Sequence, residues 1–387
     1  MNRKINKREF LKYMTLGGCA AMCGLSGIPV SGMKRGEIPA PNVSPPESDL
    51  WKWSREAMHW VQTPKGIKCQ ICPNNCTMKE DEEGDCRTRV NKEGKLYSIA
   101  YGNPCAVHVD PIEKKPLFHF LPSTGAFSLA TAGCNLACLN CQNWEISQAH
   151  PRNTRNYDLF PEKVIESCLE HNCRSIAYTY SDPVAFYEYT YDTARLAHEQ
   201  GIKNVLVSAG YIHEKPLRDL CRYTDGANID LKSFSNEIYE MLNAGTLKPV
   251  LESLRIFREE GVWLEITNLI VPDWTDDMEM IKKMCGWLAE NGFDETPLHF
   301  SRFHPQYKLA HLNRTPVKVL ENARNTAISE GLKYVYIGNV PGAGYEDTVC
   351  PGCKEIVIQR KGFRVLKMNV SHGKCGHCGT PISGKWS

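Results

Sequence analysis

The chain has 387 residues, enough for one barrel-sized domain with small appendages. A net charge of +2 gives no electrostatic footprint for nucleic acid, and 42% hydrophobic with 23% charged residues is the composition of an ordinary folded protein. The outlying feature is 18 cysteines, most of them in tight groups that read as metal ligands rather than as a disulfide framework.

Residues 1–32 open on a basic stretch containing Lys7 and Arg8, followed by an apolar, small-residue run from Tyr13 to about Val30. This predicts a twin-arginine-like export signal and a location in the periplasm or at the cell surface, with the cytoplasm as the alternative. The run is short and glycine-rich, so no membrane span is expected in the mature chain. Residues 33–49 are rich in proline and serine and read as a linker.

A cysteine-rich module is expected over residues 50–117, around Cys69, Cys72, Cys76 and Cys86. Four thiolates can close a site, and both zinc and an auxiliary 4Fe-4S cluster suit them. Residues 118–345 then alternate short apolar runs with amphipathic stretches. Strands are predicted at Phe127–Ala132, Ser175–Tyr180, Asn204–Ser208, Ala227–Lys232, Trp263–Val271, Pro297–Phe303 and Tyr334–Gly338. Helices are predicted at Pro161–His171, Val184–Gln200, Glu214–Thr224, Asn236–Asn243, Lys248–Glu260, Asp276–Asn291 and Pro316–Glu330. The alternation predicts an α/β fold with a parallel sheet, a partial TIM barrel of (β/α)6 type. A doubly wound open sheet is the second choice, weakened because no glycine-rich dinucleotide fingerprint follows any strand.

In such a barrel, functional residues gather where strands end at their carboxyl side. The first strand runs into Cys134, Cys138 and Cys141, spaced C-x3-C-x2-C. Three thiolates this close can hold three irons of a 4Fe-4S cluster and leave the fourth open to a small molecule. The later strands end at Tyr180 and Asp182, Gly210, Asp230 and Lys232, Asn268, and His304. These are the candidate cofactor-binding residues. Beyond the barrel, Cys350, Cys353, Cys375 and Cys378 form two C-x2-C pairs flanking a stretch with a hairpin signal at Gly362. Residues 346–387 therefore read as a zinc-ribbon-like module with closed tetrahedral coordination, rubredoxin-like iron being the alternative.

These residues, with Asp110 to Pro122, Thr131 to Gln148, Ala177 to Tyr180 and Asp230 to Lys232, resemble the radical S-adenosylmethionine (SAM) enzyme of the AmmeMemoRadiSam system, itself similar to pyruvate formate-lyase-activating enzymes. The resemblance runs from about Met58 to the end. It implies a 4Fe-4S cluster on Cys134, Cys138 and Cys141 and reductive cleavage of SAM to methionine and a 5′-deoxyadenosyl radical. Carbonyls of the Tyr178–Asp182 segment, or Asp182 itself, would accept from the methionyl ammonium. Lys232 would meet the methionyl carboxylate, Asp230 would hold Lys232 or a ribose hydroxyl, and Gly210 would admit adenosine. The partners implied are a reductant such as flavodoxin or ferredoxin and a substrate, possibly a protein, that no motif identifies. The chain departs from the pattern at Asn140, where an aromatic is common, at Ser181 and Asp182, where Asn-Glu is common, and at Ala209, where asparagine is common. An exported iron-sulfur or zinc protein without SAM chemistry is the alternative reading.

Overall fold

The computed structural model describes residues 47–387 apart from 341 and 343. The export signal, and the linker up to residue 46, lie outside the described residues. No described helix is long and apolar enough to cross a membrane.

The central sheet has eight strands. In chain order they are β1 (Ala106–Pro111), β2 (Gly125–Ala130), β3 (Ser175–Tyr178), β4 (Lys203–Ser208), β5 (Gly226–Asp230), β6 (Trp263–Ile270), β7 (Leu298–Arg302) and β8 (Val335–Gly338). From β2 to β8 every strand pairs in parallel with its neighbour in sequence. The strand order never reverses, so the doubly wound alternative, which needs a switch point, does not describe this sheet. The β1 and β8 edges are not paired with each other, which leaves the barrel open. β1 is antiparallel to β2, from Ala106 opposite Ala130 to Pro111 opposite Gly125.

The strands are short and rich in Val, Ile, Leu and Ala because helices cover the sheet; every residue of β2 and β3 is buried. The helices are α1 (Pro161–Glu170), α2 (Tyr187–Glu199), α3 (Glu214–Cys221), α4 (Leu247–Glu259), α5 (Met278–Glu290) and α6 (Val317–Ser329). Each turns an apolar face inward: α4, for example, buries Val250, Leu254 and Phe257. Between β5 and α4 the predicted helix Asn236–Asn243 splits into a short α-turn, Asn236–Ile238, and a π-turn, Tyr239–Asn243. Ala244, with φ +56°, ends it in the left-handed region.

The segment from Ile112 to Leu121 closes the amino-terminal end of the sheet. The Glu265 carboxylate accepts from the backbone N–H of Phe118 (2.9 Å) and of His119 (2.7 Å). Asn228 Nδ2 donates to the Pro116 carbonyl at 2.8 Å. Phe120 packs so tightly on Gly226 that a Cβ there would meet its ring at 3.0 Å. His119 sits between the Ser383 carbonyl (2.6 Å) and the Tyr336 hydroxyl (2.5 Å), so the carboxyl-terminal tail is tied to the same plug. With that end filled, the carboxyl ends of the strands are left to carry a site.

The cysteine-rich amino-terminal region is built from two small antiparallel sheets, Arg55–Glu56 with Arg89–Lys92 and Lys95–Ser98, and Trp60–Thr63 with Gly66–Cys69 and Thr77–Met78. At the other end, Thr348–Val349, Ile356–Lys361 and Arg364–Met368 form a three-stranded sheet, turning at Gly362 (φ +59°).

Candidate active site

The Cys134–Cys141 loop leaves β2 at the carboxyl end of the sheet. Gly133 starts it with φ +95°, where a Cβ would come within 2.4 Å of the Cys86 carbonyl, so only glycine fits. The loop has no regular structure of its own, and its backbone is held by surrounding elements. Ala137 N–H donates to the Asn243 carbonyl (3.1 Å) and Leu139 N–H to the Leu242 carbonyl (2.8 Å), which gives the π-turn its place in the site. Asn135 Nδ2 donates to the Tyr211 carbonyl (2.7 Å), Gln148 Nε2 to the Leu136 carbonyl (3.1 Å) and Gln306 Nε2 to the Cys141 carbonyl (3.2 Å). Trp144 stacks on Tyr307 with ring centres 5.1 Å apart.

Burial pushes the Cys134 thiol well up, with Asp182 and Cys138 adding to it as like charges. Burial raises Cys138 against the pull of the Lys232 ammonium, and raises Cys141 together with Cys138. Neutral thiols of this kind become thiolates when a metal ion replaces the proton.

Lys232 and Asp230 leave β5 together, with Lys232 Nζ 2.7 Å from Asp230 Oδ2. Burial would lower the Lys232 ammonium, but Asp230 and the Cys138 sulfur outweigh it and hold it above its usual range. The lysine backbone N–H donates to the Tyr239 hydroxyl at 3.0 Å. Lys232, Asp230 and the cysteine loop therefore share one electrostatic neighbourhood.

Asp182 also belongs to it, through its influence on Cys134. Its carboxylate is occupied: Oδ1 accepts from Val184 N–H (3.0 Å) and Ser208 Oγ (3.0 Å), and Oδ2 from Ala209 N–H (2.8 Å). Burial raises this carboxyl, against those hydrogen bonds. The Tyr180 side chain, with φ +65° at its backbone, bonds through its hydroxyl to Asp110 and lies under the Lys115 ammonium, 4.2 Å from the ring centre. Its carbonyl stays at the cysteine loop and accepts from Asn143 Nδ2 at 2.7 Å.

Gly210 has φ +63°, and a Cβ there would meet Ile229 Cγ2 at 2.9 Å. Packing of β4 against β5 and α4 explains that glycine. Asn268 is buried in β6 and donates to the Leu231 carbonyl at 2.8 Å, while its Oδ1 has no partner among the described residues. The Asn140 Oδ1 is likewise buried without a partner among the described residues, and the buried Asn243 amide faces Cys138. Orphaned polar atoms in and around the half-buried cysteine loop suit a polar cofactor that would satisfy them. His304 is exposed just beyond β7. His299, by contrast, is buried against Glu265 (2.7 Å) and belongs to the plugged end. Gln306, Asn243 and the π-turn are residues that sequence reasoning missed. Their contacts to the loop cross more than a hundred positions and have no local signature.

The carboxyl-terminal cysteines converge differently. Cys350 Sγ is 3.7 Å from Cys378 Sγ, and Cys353 Sγ is 3.7 Å from Cys375 Sγ. A tetrahedral zinc ion with Zn–S bonds near 2.3 Å spaces its sulfurs about 3.8 Å apart. Among the described residues this is the only group of three or more such side chains with all ligand atoms within 4.8 Å of one another. Cys69, Cys72, Cys76 and Cys86 line a cavity of their own next to Asn135.

A family model described as the radical SAM superfamily matches residues 128–285. A Methanocaldococcus jannaschii protein described as "Uncharacterized protein MJ0808" is 45% identical over 331 residues, covering 85% of this chain and 98% of that one. Pyruvate formate-lyase 1-activating enzyme of Escherichia coli is 24% identical over 164 residues, 41% of this chain and 67% of the enzyme. A solved domain of a pyruvate-formate lyase-activating enzyme from Bacteroides vulgatus aligns over 43% of this chain and 99% of its own, with 16% identity and a TM-score of 0.38.

Proposed function

The chain belongs to the radical SAM superfamily, in one family with MJ0808, and from that premise we propose that it is an enzyme that cleaves SAM reductively on a 4Fe-4S cluster held by Cys134, Cys138 and Cys141. The observation that carries this reading is the meeting of three half-buried thiols of one loop with the Lys232–Asp230 pair at the carboxyl end of the sheet. Three protein ligands leave one iron for the amine and carboxylate of SAM. When bound, the cluster supplies one electron to the sulfonium of SAM, whose C5′–S bond breaks to give methionine and a 5′-deoxyadenosyl radical.

The chain's own residues bind, orient and shield. Lys232, fixed by Asp230, offers a cation to the methionyl carboxylate. The Asp182 oxygens are already occupied, so this carboxylate acts as a positioning residue. It holds Ser208 and the Ala209 amide at the end of β4, while carbonyls of its own segment face the methionyl ammonium. The buried oxygens of Asn268 and Asn140 are acceptors for the ribose hydroxyls and the adenine amine. Gln306 and the Trp144–Tyr307 stack hold the outer side of the loop.

We further read the chain as the radical SAM member of the AmmeMemoRadiSam system, on the motifs from Asp110 to Pro122 and Cys69 to Cys86. It would act on a protein or small-molecule substrate with electrons from a flavodoxin or ferredoxin. The spacing of Cys350, Cys353, Cys375 and Cys378 supports a structural zinc ion there. Residues 1–32 support export by the twin-arginine route, which carries folded, metal-loaded proteins. The test of the reading is spectroscopic. Anaerobically reconstituted protein reduced with dithionite should give an EPR signal that changes shape on adding SAM. A signal from the Cys134 group that ignores SAM contradicts an open iron there.

A further inference from the structure

The Cys69 group differs from the Cys350 group in the spacing of its sulfurs. Four thiols, Cys69 at the end of a strand and Cys72, Cys76 and Cys86 in the loops around it, line one cavity, yet no three of the four have their sulfurs within 4.8 Å of one another. One tetrahedral metal ion needs edges of about 3.8 Å, as in the Cys350 group. The sulfurs of Cys134, Cys138 and Cys141 likewise do not all lie within 4.8 Å of one another. In a cubane each thiolate binds a different iron, so its sulfurs stand apart by an iron–iron edge plus two diverging Fe–S bonds, roughly 6 Å.

A second observation is independent of the cysteines. Arg89 lines the same cavity and is only 2% exposed. Its Nη2 is bound by both oxygens of Glu188, at 2.6 and 2.7 Å. Its Nε and Nη1 have no partner among the described residues. A buried guanidinium with unmet N–H groups on a cavity of thiols calls for a hydrogen-bond acceptor there. Thr88 Oγ1 also lies 3.1 Å from Cys86 Sγ.

We propose that Cys69, Cys72, Cys76 and Cys86 hold a second 4Fe-4S cluster, closed by four protein thiolates, with Arg89 donating to its sulfurs. Since every iron carries a cysteine, this cluster binds no SAM, and its chemistry is one-electron storage. Reduction adds one electron from an external reductant of the ferredoxin class and breaks no bond. Its neighbour is the first cysteine loop: Asn135 lines the cavity, Asn74 Nδ2 donates to the Asn135 carbonyl at 2.8 Å, and Gly133 packs on the Cys86 carbonyl. Two clusters would thus face each other across residues 133–135.

The test uses the full chain, reconstituted anaerobically with iron and sulfide. The native protein should hold about eight iron and eight sulfide, against about four of each for a single cubane. Mössbauer spectra should show cubane iron alone. A Cys134→Ala, Cys138→Ala, Cys141→Ala variant should keep about four iron and a reduced EPR signal that SAM does not alter. Arg89→Leu should shift the reduction potential of that remaining signal to lower values, because a cation that favours the reduced form is gone. About four iron in the native protein, none in the triple variant and a second zinc in both would overturn the proposal. Iron counts decide this cluster, whereas the response to SAM decides the catalytic one, so either reading can fail alone.

Discussion

Lys232 is the side chain on which the site reading turns. Replacing it with methionine keeps most of its length and removes the charge, so a charge-assisted hydrogen bond of about 1.5–3 kcal/mol is lost. Lys232→Met should therefore raise the KM for SAM about 10–100-fold while leaving the iron content unchanged. An unchanged KM would remove Lys232 from the SAM site. His119 is a second residue with a defined expectation. Burial lowers its imidazole to about 4 from 6.5, and both ring nitrogens are already used by the Ser383 carbonyl and the Tyr336 hydroxyl. The unfolded chain binds a proton between pH 6.5 and 4 that the folded chain refuses, so stability falls as pH drops through that window. The loss from this group alone is on the order of 3 kcal/mol. His119→Gln, which cannot titrate, should show a shallower decline in denaturant unfolding across the same range. An equal slope would show that His119 is not the group responsible. The place of Lys232 just beyond the end of β5 was legible in the sequence. The polar cage around His119 was not, because its partners lie at positions 336 and 383 and nothing local in Asp110 to Pro122 indicates them.

At the scale of elements, the seven parallel strands and the helices between them were readable to within about three residues, whereas β1 and the small amino-terminal strands were not predicted. Parallel strands covered on both faces are short apolar runs, and the helices between them carry a clear apolar stripe. The turn at Tyr239–Asn243 was read as ordinary helix, because a π-turn differs in hydrogen-bond register and hardly at all in residue preference. Its role appears only once the carbonyls of Leu242 and Asn243 are seen receiving the cysteine loop. Gly210 was read as an opening for adenosine, and its geometry adds a packing reason. Gly210→Ala should destabilise the protein by about 2–4 kcal/mol, combining a left-handed backbone with a contact too close to Ile229. Denaturant unfolding of the metal-free protein measures this without reference to catalysis. A cost near zero would mean that β4 and α4 can shift apart freely.

Across the described residues, the three cysteine groups fall into two geometries. The Cys350 group is tight enough for a single ion, and the fold around it is small: a three-stranded sheet whose Arg360 reaches the Phe118 carbonyl at 2.7 Å. Chelation of the metal ion proposed there, or Cys375→Ala, should therefore lower thermal stability and solubility, while SAM cleavage persists in whatever fraction stays folded. Loss of SAM cleavage in a fully folded Cys375→Ala protein would give this group a catalytic part it is not expected to have. Neither the Cys69 group, with four cysteines, nor the Cys134 group, with three, brings three sulfurs within 4.8 Å of one another. The fourth ligand missing from the Cys134 group was visible in the C-x3-C-x2-C spacing, while the difference between the other two groups required coordinates. The account rests on the missing ligand. Its most direct test is the formation of 5′-deoxyadenosine when reconstituted, reduced protein is given SAM. The native chain should yield 5′-deoxyadenosine and methionine in equal amounts and Cys138→Ala should yield neither. An iron-loaded native chain that yields none, or a Cys138→Ala variant that yields as much, would contradict it.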